Sequence, residues 1–444
     1  MTLVQRAVLE PRIRRAASAI AAVRPRIRVA GLLADNGVDW VLADLAAQRA
    51  GIILVPLPQF FTAAQRAHAV EASGMDALLG APLPGFEPAG ELEGLALWRR
   101  EATPASLPPG ATKLTFTSGT TGAPKGVALA SEQQWQVAHA LAAATRALGL
   151  RRHLCLLPLA VLLENIGGIY APWAAGMESC VPPLSQLGIL GSSGFDAAAC
   201  LAALERYEPD SVILLPQMLA ALCARLEHGA RAPRSLRLAA VGGAKVSSVL
   251  IERARALGLP AYEGYGLSEC ASVVALNLPG AERAGSVGRP LPHAQVRIEG
   301  GEIMVKAATR WCATGDLGHL DADGFLYIDG RRKQVLITSF GRNVSPEWPE
   351  AELLAGRAIA QAAVFGEGRP QLCAVLVPAP AASDAALAAD VDGANARQPD
   401  NARIGARLRA DAPFTPQNGR ATANGRVRRS ALWRAYGERL DGLL

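Results

Sequence analysis

The sequence predicts an α/β protein of two domains. Apolar runs of strand length alternate with longer segments of helical period, and a stretch of hairpin signals follows residue 280. The 444 residues also exceed the roughly 250–300 that one hydrophobic core usually organises. Half of the residues are hydrophobic and 19% are charged, which places the chain among globular proteins.

Lys113 to Phe116 reads as a buried strand, with a glycine- and hydroxyl-rich loop directly after it. Leu154 to Gly176 is the most apolar run. Glu164 and Asn165 stand at its centre, where a membrane span would bury a carboxylate in hydrocarbon, so it is expected as a buried element or pocket wall. Asp196 to Glu205 is a helix candidate and Ser211 to Leu215 a strand. Pro216 then opens a helix through Leu226, and Leu236 to Val241 supplies the next strand, ending at Gly242-Gly243. Strand ends followed by glycine are where open α/β sheets bind ligands. Gln295 to Glu299 and Glu302 to Lys306 flank Gly300-Gly301, and Asp323-Gly324 precedes Phe325 to Ile328, both hairpin signatures of a β-rich subregion. Ala379 to Pro416 is rich in Ala, Asp, Asn and Pro, so loops and at most one surface helix are expected there.

The 45 basic and 39 acidic residues leave +6, which suits an anionic ligand. The arginines are scattered, so no nucleic-acid partner is expected. Seven widely spaced cysteines, with no Cys-x-x-Cys and no histidine at metal-ligand spacing, read as reduced thiols of a cytoplasmic protein. Ala16 to Val23 is alanine-dominated and flanked by Glu10 and Arg24, so no secretory signal is expected.

The strongest chemical signal is Phe116-Thr117-Ser118-Gly119-Thr120-Thr121-Gly122-Ala123-Pro124-Lys125-Gly126. Its glycines permit the positive φ angles that turn backbone N–H groups inward, its hydroxyls add donors and Lys125 adds charge, which together are the needs of a polyphosphate. Pro124 excludes a Walker A loop. Gly266-Leu267-Ser268-Glu269-Cys270 lacks the second glycine of a nucleophile elbow, and six dispersed histidines support neither zinc nor a serine triad.

The loop resembles the phosphate loop of the adenylate-forming (AMP-binding) superfamily. Gly242-Gly243-Ala244 resembles its adenine-contacting turn, and Tyr265-Gly266-Leu267-Ser268-Glu269 the motif that stacks adenine, contacts the α-phosphate and holds magnesium. Thr314-Gly315-Asp316 resembles the ribose-binding segment. Asp329-Gly330-Arg331-Arg332-Lys333 resembles the inter-domain hinge, with Arg331 a nucleotide contact and Lys333 the pivot. Leu157 to Glu164 resembles the corresponding segment of the long-chain fatty acyl-CoA ligases, with Val161 where histidine is usual. The resemblance implies an N-terminal AMP-binding domain over 1–332 and a small, mobile α+β C-terminal domain over 333–444.

The same resemblance implies ATP and Mg2+ as cofactors, and a small carboxylic acid as substrate. The acceptor is the thiol of coenzyme A or the phosphopantetheine of an acyl carrier protein. Val161, Glu164 and Gly242 are expected to line an acid pocket, and an apolar, fatty acid is the expected occupant. Near the C-terminus the family places a catalytic lysine where Thr422-Ala423-Asn424-Gly425-Arg426 stands here, so Arg426 takes that slot. Arginine keeps the charge but offers a planar fork in place of a compact ammonium. With Lys125, Ser268 and Glu269 it completes the expected catalytic set, magnesium falling to Glu269. The alternative is a non-catalytic binder of nucleotide or acyl-AMP, which Arg426 and the short span between Glu302 and Thr314 would favour.

Overall fold

Five mutually parallel strands form the spine of the larger sheet: Glu178–Cys180, Arg152–Leu154, Ser211–Leu214, Leu238–Val241 and Ala261–Leu267, in that spatial order. The antiparallel pairs Leu3–Val4 at one side, and Ser272–Leu276 with Arg289–Pro290 at the other, extend it to eight. The structure is a computed structural model. It describes residues 2–103, 105–117, 125–190, 194–307, 310–340, 342–422 and 425–443.

Helices enter where the sequence supplies their caps. Asp196 accepts from the backbone of Ala198 and Ala199 to open Ala197–Tyr207, and Pro216 occupies the first turn of Pro216–Glu227, where its missing N–H costs nothing. Leu219, Leu222 and Leu226 of that helix pack with Leu204, Leu250 and Ala254 over the parallel strands. A second sheet of seven strands holds Val29–Leu33 and Ile53–Pro56 beside Ala111–Thr117, which pairs antiparallel with Lys125–Ala130. The expected hairpin of Gln295–Glu299 and Glu302–Ala307 joins Arg310–Leu320 and Leu326–Arg331 in a four-stranded antiparallel sheet.

Beyond Lys333 a three-stranded sheet of Ile359–Phe365, Leu372–Pro378 and Ile404–Arg409 has apolar clusters on both faces. The one helix allowed over 379–416 is present, and the expectation of loops for the rest is corrected by a strand. Asp384–Ala396 is a helix that buries Leu387, Val391 and Ala394, and Ile404–Arg409 is a strand that turns Ile404 to one face of the sheet and, past a bulge, Ala406 and Leu408 to the other. The period-two alternation was present, but six residues flanked by Asn, Asp and Pro were outweighed by composition. The N-terminal arginine-rich stretch is likewise a helix, Arg6–Ala22, burying Leu9, Ile13, Ala16, Ala17 and Ile20 against Val38–Arg49. All seven cysteines carry free thiols. Among the described residues no helix is long and apolar enough to cross a membrane.

Candidate active site

The parallel strands Leu238–Val241 and Ala261–Leu267 deliver their C-terminal ends side by side, which brings Gly242-Gly243-Ala244 next to Gly264-Tyr265-Gly266. Glycine is required there. A Cβ at Gly266 would lie 2.1 Å from the Ser272 carbonyl oxygen, and Gly243 has φ +85° with Leu215 Cδ2 3.1 Å from any Cβ. Immediately after Glu269, Ala271 and Ser272 adopt φ 57° and 106°, conformations that non-glycine residues hold only when the surroundings impose them. Such strain gathers at functional sites.

Tyr265 turns its hydroxyl onto Asp316, donating to Oδ2 at 2.6 Å, while Arg331 Nε sits 2.9 Å from Oδ1. Burial, and then the neighbouring Asp316 carboxylate, push the Tyr265 phenol well above its usual range, so it stays a donor. Thr314 Oγ1 donates to the Ile303 carbonyl at 2.7 Å and accepts from Asp316 N at 3.0 Å. Glu302 accepts from Gly315 N at 2.8 Å and lies 3.0 Å from Arg332 Nη1. Asp316 is thus fixed from three sides. Glu302 was not singled out in the sequence, although its place opening the strand that pairs with the Thr314 segment was a usable signal.

Lys125 opens the strand Lys125–Ala130, with Nζ 3.9 Å from Glu269 Oε1. Thr117 ends the strand before it. Ser118, Gly119, Thr120, Thr121 and Gly122 lie outside the described residues. Ser268 and Glu269 form a short 3₁₀ turn, and the Glu269 side chain is 39% exposed. A part-exposed carboxylate beside Lys125 is the kind of donor magnesium accepts, since that ion keeps several waters and takes few protein ligands.

Arg426 comes from the other domain. Its Nη2 donates to the Gly243 carbonyl at 3.1 Å, and its own backbone is pinned by Thr422, whose Oγ1 accepts from Arg426 N at 3.0 Å. Arg426 as a residue is exposed, with its guanidinium turned toward the large domain. Desolvation there, and then Arg331, lower its pKa, while Glu347 and Asp316 oppose the shift. Arg426, Arg331, Asp316 and Gly243 therefore meet in one place. Lys333 lies in the 3₁₀ turn Arg332–Gln334, and Phe340 beyond it is 75% exposed.

Val161 and Gly242 are partly exposed, but Glu164, expected at the pocket wall, is wholly buried behind it. Its Oε1 lies 3.0 Å from His153 Nε2, and its Oε2 accepts from Leu157 N at 2.9 Å. His153 Nδ1 is 3.0 Å from Ser211 Oγ, and Cys155 Sγ donates to the Gly168 carbonyl at 3.6 Å. His153, Cys155 and Glu164 offer ligand atoms within 4.8 Å of one another, which corrects the reading that no cysteine has a histidine nearby: His153 and Cys155 alternate onto one face. A Cβ on Gly168 would come within 2.3, 2.8 and 3.0 Å of Glu164, Cys155 and His153 atoms, so the cluster is closed around that glycine. It braces the π-helical turn Asn165–Tyr170, to which Gly168 belongs.

Glu263 is a further buried carboxyl, two residues before Tyr265. Burial raises its pKa to about 8 against the opposing pull of Lys245 and the Val246 N–H. A carboxyl whose folded pKa exceeds its unfolded value keeps its proton in the folded state between the two. Stability is therefore expected to fall as pH rises from about 4.5 to about 8 and to level off above. Glu263→Gln should flatten that decline in chemical denaturation, and an unchanged slope would count against it.

A family model described as AMP-binding enzyme matches residues 7–308, and one described as AMP-binding enzyme C-terminal domain matches 333–443. The chain belongs to the AMP-binding enzyme family. It is an enzyme of the AMP-forming acid–thiol ligase type. A 2-succinylbenzoate–CoA ligase of Bacillus subtilis (strain 168) is 31% identical over 369 residues, which span 75% of this chain and 66% of that protein. A long-chain-fatty-acid–CoA ligase of Mycobacterium bovis is 38% identical over 165 residues, 33% of this chain and 28% of that protein. The solved structure of O-succinylbenzoate coenzyme A synthetase from Bacillus subtilis, in complex with ATP and magnesium ion, is 26% identical with a TM-score of 0.73, covering 96% of this chain and 93% of that one. The α/β architecture with its smaller C-terminal domain is that of these AMP-binding enzymes. The expected affinity to long-chain fatty ligases is corrected: that likeness takes in a third of the chain, against three quarters for the succinylbenzoate ligase. The non-catalytic alternative finds no support in these likenesses.

Proposed function

We propose that the chain activates an apolar carboxylic acid with ATP and magnesium, giving an acyl adenylate and pyrophosphate, and then passes the acyl group to the thiol of coenzyme A. The reading rests most on the meeting of Arg426 with Gly243 beside the Tyr265, Asp316 and Arg331 triad, which sets a cation from the small domain against a nucleotide seat on the large one. Asp316 and Arg331 would hold the ribose, and Gly243, Ala244 and Tyr265 would frame the adenine. The loop Thr117 to Lys125, with Ser268, would take the phosphates.

A substrate carboxylate oxygen attacks the α-phosphorus, and the bond to the pyrophosphate oxygen breaks. Lys125, Arg426 and the Ser268 hydroxyl face the oxygens on which charge gathers. Magnesium held by Glu269 would neutralise charge on the phosphates. In the second half the thiol sulfur bonds to the acyl carbon, AMP leaves and the thiol proton is released. Movement of the small domain about Lys333 would bring the Phe340–Asn343 segment to that step. Coenzyme A is preferred over a carrier protein because the similar proteins are CoA ligases by name.

An aromatic acid is the preferred substrate. The extended likeness is to ligases named for 2-succinylbenzoate, an aryl acid. Pyrophosphate release across a panel of aryl and straight-chain acids is expected to give the highest kcat/KM with an aryl acid. A steady rise of about 0.8 kcal/mol per methylene through the long alkyl acids would instead restore the fatty substrate.

A further inference from the structure

The small domain grips the segment from Gly242 to Ser247 at both ends. At one end Arg426 donates to the Gly243 carbonyl. At the other, Ser247 caps the helix Ser248–Ala256 by accepting from Val249 N, and its hydroxyl donates to Glu352 Oε1 at 2.8 Å. Glu352 lies on the helix Glu347–Leu354 and is 8% exposed, with Arg397 Nε donating to its Oε2 at 2.7 Å. Three residues on, Ala355 is buried in the apolar cluster of the large domain, and its carbonyl accepts from Arg253 Nη1 at 3.4 Å.

Around this contact, Arg357 Nη2 reaches Glu227 Oε1 at 2.6 Å, but Arg357 is 73% exposed and such a pair contributes little. Glu352 differs. Arg397, on the same domain, pairs the Glu352 charge on Oε2. That leaves Oε1 as the acceptor that only the docked arrangement supplies with the Ser247 hydroxyl, so that bond favours one docking over others.

We propose that Glu352 is a positioning residue: by bonding Ser247 it holds the small domain on the Gly242–Ser247 segment, sets Arg426 over the nucleotide seat and couples ATP affinity to domain docking. This rests on the reading above that the segment frames adenine. Linkage then requires the reciprocal effect, that bound nucleotide tightens docking.

The full-length chain tests this. Glu352→Ala is expected to raise the KM for ATP and slow acid-dependent pyrophosphate release, each by about tenfold. Thioester formation from supplied acyl adenylate and coenzyme A should stay within about twofold. Glu352→Gln keeps an acceptor for Ser247 and should restore most of the loss. Ser247→Ala combined with Glu352→Ala should add little to either alone, as coupled partners do. As a readout apart from turnover, ATP should slow trypsin cleavage at Arg331-Arg332-Lys333 in the wild type and do so less in Glu352→Ala. An unchanged KM for ATP, equal loss in both half-reactions, or full additivity of the two substitutions would overturn the proposal. Should the wild type form no adenylate with any acid, the functional reading fails, while the protection experiment still decides the coupling.

Discussion

Asp44→Ala is expected to lower the free energy of unfolding by about 3–5 kcal/mol. Asp44 and Lys113 are 1% and 2% exposed, with Lys113 Nζ 2.8 Å from Asp44 Oδ1. Asn165 donates to Asp44 Oδ2 at 2.9 Å and accepts from Lys113, whose Nζ also lies 3.3 Å from the Tyr170 hydroxyl. Burial lowers the Lys113 pKa and Asp44 opposes that shift, so deleting Asp44 leaves an ammonium without its counter-charge in a dry site. The double variant Asp44→Leu with Lys113→Met removes both charges and should recover most of the loss. Urea denaturation gives both values, and an Asp44→Ala change within about 1 kcal/mol would sink the account. The consequence would reach the proposed site, because Lys113 stands on the strand Ala111–Thr117 and Asn165 begins the π-helical turn that follows Val161 and Glu164.

The sequence made this part of the molecule only half legible. The strand Ala111–Thr117 was plain, because a β-branched and apolar run met a glycine cluster. That Lys113 points into the core was not, since a lysine on a strand is ordinarily a solvated charge and its partners lie 69 and 52 residues away. Glu164 shows the same limit. Its place within an apolar run was evident, but whether it faced the pocket or the core depended on His153 and Ser211 closing from other strands. Motif residues fared better. Gly243, Tyr265, Asp316, Arg331 and Arg426, spread over 184 residues, come together because the ends of parallel strands and the last domain converge on one cleft. The contact between Ser247 and Glu352 had no sequence signal, being a meeting of two domains whose docking no local pattern encodes.

Arg426→Ala is expected to slow acyl-adenylate formation by about 10²–10³. The guanidinium is held by its hydrogen bond to the Gly243 carbonyl and faces Asp316 and Arg331, where the proposed mechanism places the nucleotide. In the proposed mechanism its charge would meet the transition state of the first half-reaction. In the second half-reaction the acyl C–O bond breaks after the small domain has moved about Lys333 and carried Arg426 away, so thioester formation from supplied acyl adenylate should remain within a few fold. Arg426→Lys keeps the charge and loses the fork, and should retain adenylation or raise it, since a shorter ammonium leaves the carbonyl and turns toward the phosphate. Pyrophosphate release and thioester formation, measured separately, give the contrast, because a folding defect would depress both alike. Full adenylation by Arg426→Ala would remove Arg426 from the chemistry and leave Lys125 as the cation of the first step.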